Sequence, residues 1–265
     1  MTRRRFYAPP GSFAPEGARV VVLSDEESRH LRDVLRLRAG DEAYVFDGEG
    51  REFACVVVEA GGRGAGARLD VRERAEPPSP ESPLALTLAV ALLKGEKFDL
   101  VVQKATELGV VRVVPVMSKR ADVRPRDERD TVKRVERWRR LALEASKQSG
   151  RARVPVVESP IMFDALVARE PRGDESRILF AERGGVSLNS LAAADSHNSL
   201  AAETAARRVS FVALVGPEGG WDDEELAHAR EYGWTIITLG GRTLRAETAA
   251  ITVCTLLQHL FGDLG

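Results

Sequence analysis

The sequence predicts an α/β protein: a mostly parallel sheet preceded by a small β-rich domain. Three observations carry this. Between residues 84 and 265, apolar runs of strand length alternate with stretches of helical period, the pattern of βαβ units. Residues 1 to 74 instead hold short strands, turns and one short helix. Between them, Ala75–Pro83 reads AEPPSPESP, whose four prolines make a stiff, extended linker.

The small domain begins with a strand at Arg19–Leu23. Ser24 and Glu27 form a capping box for a short helix carrying His30, Leu31, Val34 and Leu35. Glu42–Phe46 and Arg51–Val58 flank Asp47-Gly48-Glu49-Gly50, a hairpin signal. Ala67–Arg74 returns as a strand. Short strands around one helix suggest a compact barrel.

The second domain opens with a buried strand at Leu84–Leu93. A helix follows with Phe98, Val101, Val102, Ala105 and Leu108 on one face, closed by Gly109. Val110–Val116 is the next strand and Arg129–Gln148 a long helix. Arg177–Ala181 is a strand that ends at Glu182-Arg183-Gly184-Gly185. Residues 185–208 are Ala/Ser-rich and weakly patterned, so they read as an inserted loop with no assigned chemistry, His197 included.

Phe211–Val215 is a continuous apolar run, the mark of a strand buried on both faces. It stops at Gly216-Pro217-Glu218-Gly219-Gly220. Asp222 and Glu225 cap the next helix, and Gly233 is placed to end it. Thr235–Leu239 is a second apolar strand, followed by Gly240-Gly241-Arg242-Thr243-Leu244-Arg245 and a helix over Ala246–Phe261. Two buried strands joined by a helix should pair in parallel, so both glycine-rich loops leave the same edge of the sheet. Open parallel sheets bind ligands at that edge. The loops lack the Lys-Ser/Thr of a phosphate-binding loop and the spacing of a dinucleotide fingerprint. Glu218 would repel a polyphosphate. A ligand with few phosphates, read by backbone groups, fits better.

Composition bounds the function. The chain has 265 residues, 43% apolar and 30% charged, as for a soluble protein of two modest domains. No run approaches the ~20 apolar residues of a membrane span. The basic start, MTRRRFYAPP, has no apolar signal core after it. Cys55 and Cys254 sit in apolar contexts, so buried reduced thiols and a cytoplasmic location are expected. The four histidines are scattered and suggest no metal site. Net charge is −1, unlike the basic footprint of RNA-binding proteins, yet basic residues crowd at Arg3–Arg5, Arg29–Arg38, Lys119–Arg126 and Lys133–Arg153.

GPEGGW followed by LGGRTLRAETA resembles the signature of the SPOUT-class RNA methyltransferases. More closely it resembles the RsmE family, which methylates N3 of a uridine in small-subunit (16S) ribosomal RNA. HLRDVLRLRAGD, KGEKFDLVVQKATELGV and EASKQSGRARVP are also family-like. The resemblance implies a trefoil-knotted, mostly parallel-sheet domain, an N-terminal PUA-like β-barrel that grips RNA, and a homodimer. A knot is a rare exception to unthreaded connections. The implied cofactor is S-adenosylmethionine, held by Val215, Gly216, Pro217, Glu218, Gly219 and Gly220 of one loop and Leu239, Gly240, Thr243 and Leu244 of the other. Glu182, on a third glycine-rich loop, faces the same edge.

Uracil N3 carries a proton and is a poor nucleophile until it leaves. The expected work is therefore alignment and stabilisation of a developing anion. Arg245, at the entry to the last helix, is the candidate for stabilisation. Glu218 or Glu247 is the candidate proton acceptor, although a carboxylate in a first helical turn is favourable anyway. Arg3, Arg5, Arg32, Arg36, Lys94, Lys104, Arg120 and Arg151 are the candidate RNA contacts; for Arg32 and Arg36 a solvated helix face explains the pattern equally well. The rival readings are a catalytically inactive RNA-binding scaffold of the same fold and, more distantly, an ordinary mononucleotide-binding enzyme.

Overall fold

The structure is a computed structural model that describes residues 3–14, 19–62, 64–190 and 209–265. Its contacts divide it into two compact units, Met1–Glu81 with Leu143–Val154, and Ser82–Ala142 with Pro155–Gly265.

The first unit is a five-stranded sheet built from β1 (Arg5–Tyr7), β2 (Val20–Val22), β3 (Glu42–Phe46), β4 (Glu52–Glu59) and β5 (Arg68–Ala75), in the order β1-β3-β4-β5-β2. β1 runs parallel to β3; the other pairs are antiparallel. Phe6 on one edge strand and Val21 on the other share one core with Leu31, Val45 and Leu69, so the sheet curls around it. The β3–β4 turn forms because Asp47 Oδ1 accepts from the backbone N–H of Glu49 at 2.7 Å and of Arg51 at 3.0 Å. β1 was not anticipated, since three residues beside a run of arginines show no alternation to read.

Helix α1 (Asp25–Arg29) has half of its expected capping box. Ser24 Oγ accepts from Glu27 N at 3.3 Å, but the buried Glu27 carboxylate pairs with Lys147 instead of returning to Ser24. The chain then passes through a π-helical turn, His30–Val34, to Arg36 at φ 56°.

Residues 143–154, expected in the second domain, pack in the first unit because charged groups hold them there. Arg5 donates to the carbonyls of Lys147 at 3.0 Å and Arg151 at 2.9 Å and pairs with buried Glu52 at 2.7 Å. Arg151, 3% exposed, pairs with Glu81 at 2.7 Å.

The second unit is a seven-stranded, wholly parallel sheet. Its strands are β6 (Ala85–Ala91), β7 (Arg112–Met117), β8 (Val156–Val157), β9 (Ile161–Met162), β10 (Ser176–Phe180), β11 (Ser210–Val215) and β12 (Thr235–Ile237). The order is β12-β10-β11-β6-β7-β8, with β9 also on β7. The helices are α2 (Lys97–Glu107), α3 (Glu128–Ser149), α4 (Phe163–Val167), α5 (Asp223–Glu231) and α6 (Ala246–Phe261). β11 and β12 do not pair with each other as expected. β10 lies between them, with Ile178 opposite both Ala213 and Thr235. Both neighbours are parallel to β10, so the two glycine loops still leave one edge. Apolar pattern shows that a strand is buried but not which strand it sits beside.

The start of the expected insertion belongs to this sheet. Val186 bridges to Ile237, and Gly185 N donates to Thr238 Oγ1 at 3.0 Å. A side chain at Gly185 would place its Cβ 2.7 Å from the Ile236 carbonyl oxygen. Residues 191–208, His197 included, lie outside the described residues. Cys55 and Cys254 are buried free thiols, pushed up to about 12 by burial.

Candidate active site

A cleft of about 410 Å³ opens at the carboxyl ends of β10, β11 and β12. Three loops wall it: Ala181–Arg183, Gly216–Trp221 and the stretch from Leu239 into α6. Each is fixed by its local chemistry. Trp221 closes the GPEGGW loop by donating from Nε1 to the Phe180 carbonyl at 2.8 Å. The complete capping box of α5 starts the following helix: Asp222 accepts from its first turn, and Glu225 returns to Asp222 N at 3.0 Å. The other oxygen of the buried Glu225 accepts from Lys119 N at 2.8 Å, fastening the end of β7 to the same place. Arg120 therefore reaches the cleft, donating to Asp222 at 3.1 Å and to the Gly219 carbonyl at 3.4 Å.

Of the expected cofactor contacts, Glu182, Val215–Gly220, Leu239, Thr243 and Leu244 all line this cleft. Gly240 does not; Gly241, at φ 93°, lines it instead. That left-handed turn needs glycine and swings the backbone toward the cavity.

Arg245 is the N-cap of α6, extended at φ −63° and ψ 150°, and its carbonyl accepts from Ala249 N at 2.8 Å. Its guanidinium is exposed on the cleft wall and, among the described residues, forms no hydrogen bond or ion pair. Glu218 lines the cleft, whereas Glu247 stands beside it, one residue past Ala246. Lys97, at the start of α2, joins the two: its Nζ donates to Glu218 at 2.7 Å and lies 3.8 Å from Glu247. The hydrogen bond to Glu218, and the charges of Glu218 and Glu247, hold the Lys97 ammonium above its ordinary range. Burial pushes Glu218 up, but Lys97 and the residue's own backbone N–H outweigh it and hold the carboxyl below its usual range. Glu247 Oε2 is buried without a hydrogen-bond partner among the described residues.

The expected RNA contacts separate into two groups. Arg5 and Arg151 are buried and ion-paired inside the first unit, so they are structural rather than free for phosphate. Arg3 pairs with Glu52 at 3.2 Å and stacks over Tyr44. Lys104 pairs with Glu107 at 2.8 Å, and Lys94 with Asp122 at 2.6 Å. Arg32 is tied to Asp33 at 2.8 Å, while Arg36 is exposed. Glu81 holds Arg151 at 2.7 Å, and Glu144 pairs with Lys147 at 3.3 Å.

Residues 80–258 match the family model described as an RNA methyltransferase domain, and residues 23–69 match that of an RNA methyltransferase PUA domain. The chain belongs to the RNA methyltransferase family. It is 33% identical over 231 residues to Ribosomal RNA small subunit methyltransferase E of Synechocystis sp., covering 86% of this chain and 69% of that protein. It is 29% identical over 246 residues to the protein of that name from Rickettsia conorii, covering 92% and 91%. The crystal structure of a Ribosomal RNA small subunit methyltransferase E from Neisseria gonorrhoeae bound to S-adenosyl methionine matches with a TM-score of 0.81 at 30% identity, covering 100% of both chains.

For this RNA methyltransferase, sequence reasoning missed Lys97 and Arg242 as site residues. Arg242 lines the cleft and is exposed. Its place inside the GGRTLR stretch was a usable signal. Lys97 had none, because only the packing of α2 brings it to Glu218, 121 residues away in sequence.

Proposed function

We propose that this protein transfers a methyl group from S-adenosylmethionine to ring nitrogen N3 of a uridine in small-subunit, 16S ribosomal RNA. The observation that carries the proposal is a cleft walled by three loops on one sheet edge, with Arg245, whose guanidinium has no partner among the described residues, on its wall. The similarity to proteins named for small-subunit ribosomal RNA methylation, one of them crystallised with S-adenosyl methionine, supports it.

The residues fit that cofactor. The cleft is within the volume range of small-molecule sites. The loops present backbone groups, and Glu182 and Glu218 suit a ligand bearing cationic groups. Val215–Gly220, Leu239, Gly241, Thr243 and Leu244 would hold it. When bound, S-adenosylmethionine supplies a methyl group activated by its sulfonium charge and leaves as the neutral thioether.

The chain must then make N3 nucleophilic. The N3–H bond breaks as a carboxylate, Glu218 or Glu247, takes the proton directly or through a water. The negative charge left on the uracil ring develops beside the guanidinium of Arg245. The amino end of α6 adds partial positive charge at the same wall. These groups are in place before reaction, which is what makes electrostatic stabilisation effective.

The substrate polymer is gripped by Arg36, exposed on the first unit, by the half-buried Arg32 near it, and by Arg120, exposed at the cleft. A homodimer is part of the proposal. Leu244, Leu260 and Leu264 are 36%, 37% and 49% exposed, which leaves apolar surface at and near α6 for a second copy. The site of action is the cytoplasm, where ribosomal subunits are assembled. The inactive-scaffold reading is disfavoured by the intact cleft. Mass mapping of 16S ribosomal RNA from cells with and without the protein tests the proposal. One methylated uridine should be lost without it; an unchanged map would reject the activity.

A further inference from the structure

Among the described residues, Lys97 is the one that pairs with both candidate carboxylates, and it treats them unequally. Its Nζ donates to Glu218 Oε1 at 2.7 Å but lies 3.8 Å from Glu247 Oε2, beyond hydrogen-bond length. A carboxylate that accepts from an ammonium is stabilised in its ionised form and is a weaker base for it. Glu218 is also 35% exposed on its side chain, open to water, whereas Glu247 is 13% exposed. Glu247 Oε2 is buried and has no hydrogen-bond partner among the described residues. A buried carboxylate oxygen without a hydrogen bond costs free energy that the Lys97 charge at 3.8 Å offsets only in part, which leaves that oxygen able to accept a proton.

Resting on the methyl-transfer reading above, we propose that Lys97 is a positioning residue that divides the two carboxylates: it holds Glu218 as a fixed strut of the GPEGGW loop and leaves Glu247 as the acceptor of the uracil N3 proton. The balance is simple. The N3–H bond breaks and the proton passes through a water to the Glu247 carboxylate beside the cleft, while the electron pair stays on N3 and forms the bond to the methyl carbon. Arg245 faces the developing ring anion, and its charge opposes that of Lys97 in the same corner. Asp122 also faces Glu218, and Lys94 pairs with Asp122 at 2.6 Å, so that charge is partly compensated.

The test is the pH dependence of single-turnover methyl transfer to small-subunit RNA by the full chain. Wild-type transfer is measured first; its absence would sink the methylation reading itself. In Lys97→Met the two carboxylates lose the cation between them. The acid limb of the rate profile should move to higher pH by on the order of one unit. Lys97→Arg should bring the limb back toward wild type, because the charge returns. Glu247→Gln should remove the acid limb and lower the rate by roughly 10²–10⁴. Glu218→Gln should leave the limb in place and raise the dissociation constant for S-adenosylmethionine, read by calorimetry. A limb that is unmoved in Lys97→Met overturns the proposal. So does a limb removed by Glu218→Gln and kept in Glu247→Gln. If Lys97→Met fails to bind cofactor, Lys97 serves only to hold the loop, and the division of roles is wrong.

Discussion

Trp221 Nε1 donates a 2.8 Å hydrogen bond to the carbonyl oxygen of Phe180, so the residue closing the first glycine loop is fastened to the end of β10. Both partners are buried, and Trp221 belongs to the core cluster that includes Phe163 and Leu226. Trp221→Phe keeps an aromatic ring but strips the donor and leaves the carbonyl unsatisfied. The expected loss of stability is about 1–3 kcal/mol, with weaker S-adenosylmethionine binding because the loop is no longer tied down. Urea denaturation and calorimetry check the two parts. Unchanged values for both would show that the bond does not hold the loop.

Glycines of the same edge should differ sharply in tolerance. A Cβ at Gly185 would sit 2.7 Å from the Ile236 carbonyl oxygen, the Ile237 carbonyl carbon and the Thr238 nitrogen. All three are backbone atoms, so relief needs β12 to move. Gly185→Ala should lower the melting temperature by several degrees, as overpacking costs of about 1–3 kcal/mol imply. Gly240 has nothing within 4 Å of such a Cβ. Gly240→Ala should melt within a degree or two of wild type. Equal behaviour of the two variants in a thermal scan would contradict the packing described here.

The glycine loops, the capping box at Asp222 and Glu225, and the span of α6 were legible because each is written in contiguous residues. Loop composition, cap spacing and helical period are local signals. What the sequence did not show depends on partners far along the chain. The placement of β10 between β11 and β12 is a choice among equally apolar strands. Arg5 and Arg151 look like surface cations in sequence, and only Glu52 and Glu81 reveal them as internal. Lys97 sits in a run of charges that gives no hint of Glu218. The expectations of a knot and of a uridine-N3 substrate rest on family resemblance alone.

Glu158 should make part of the protein's stability pH-dependent. Burial pushes its carboxyl up, but Arg169 and Arg112, at 2.9 and 2.8 Å, outweigh that and hold it below the ordinary value of 4.5. The folded form therefore binds the proton less well than the unfolded form. The stabilisation is fully present above pH 4.5 and is lost as pH falls through the lower folded value. Glu158→Gln should be less stable than wild type at neutral pH, and the difference should shrink in acid. Urea titrations at several pH values check this. A constant difference across that range would rule out the linkage.

Arg245 should matter for rate more than for binding. Arg245→Ala should slow single-turnover methyl transfer by on the order of 10²–10³ while S-adenosylmethionine affinity changes little. Arg245→Lys should recover only part, because a point charge does not reproduce the planar fork. A normal rate with weakened RNA binding would make Arg245 a phosphate clamp instead.

The most direct measurement is transfer of a labelled methyl group from S-adenosylmethionine to purified small-subunit ribosomal RNA by the full chain, followed by digestion to nucleosides and mass analysis. The label should appear in 3-methyluridine and in no other nucleoside. Label on a ribose oxygen, on a ring carbon or on another base, or no transfer to RNA at all, would contradict the assigned reaction.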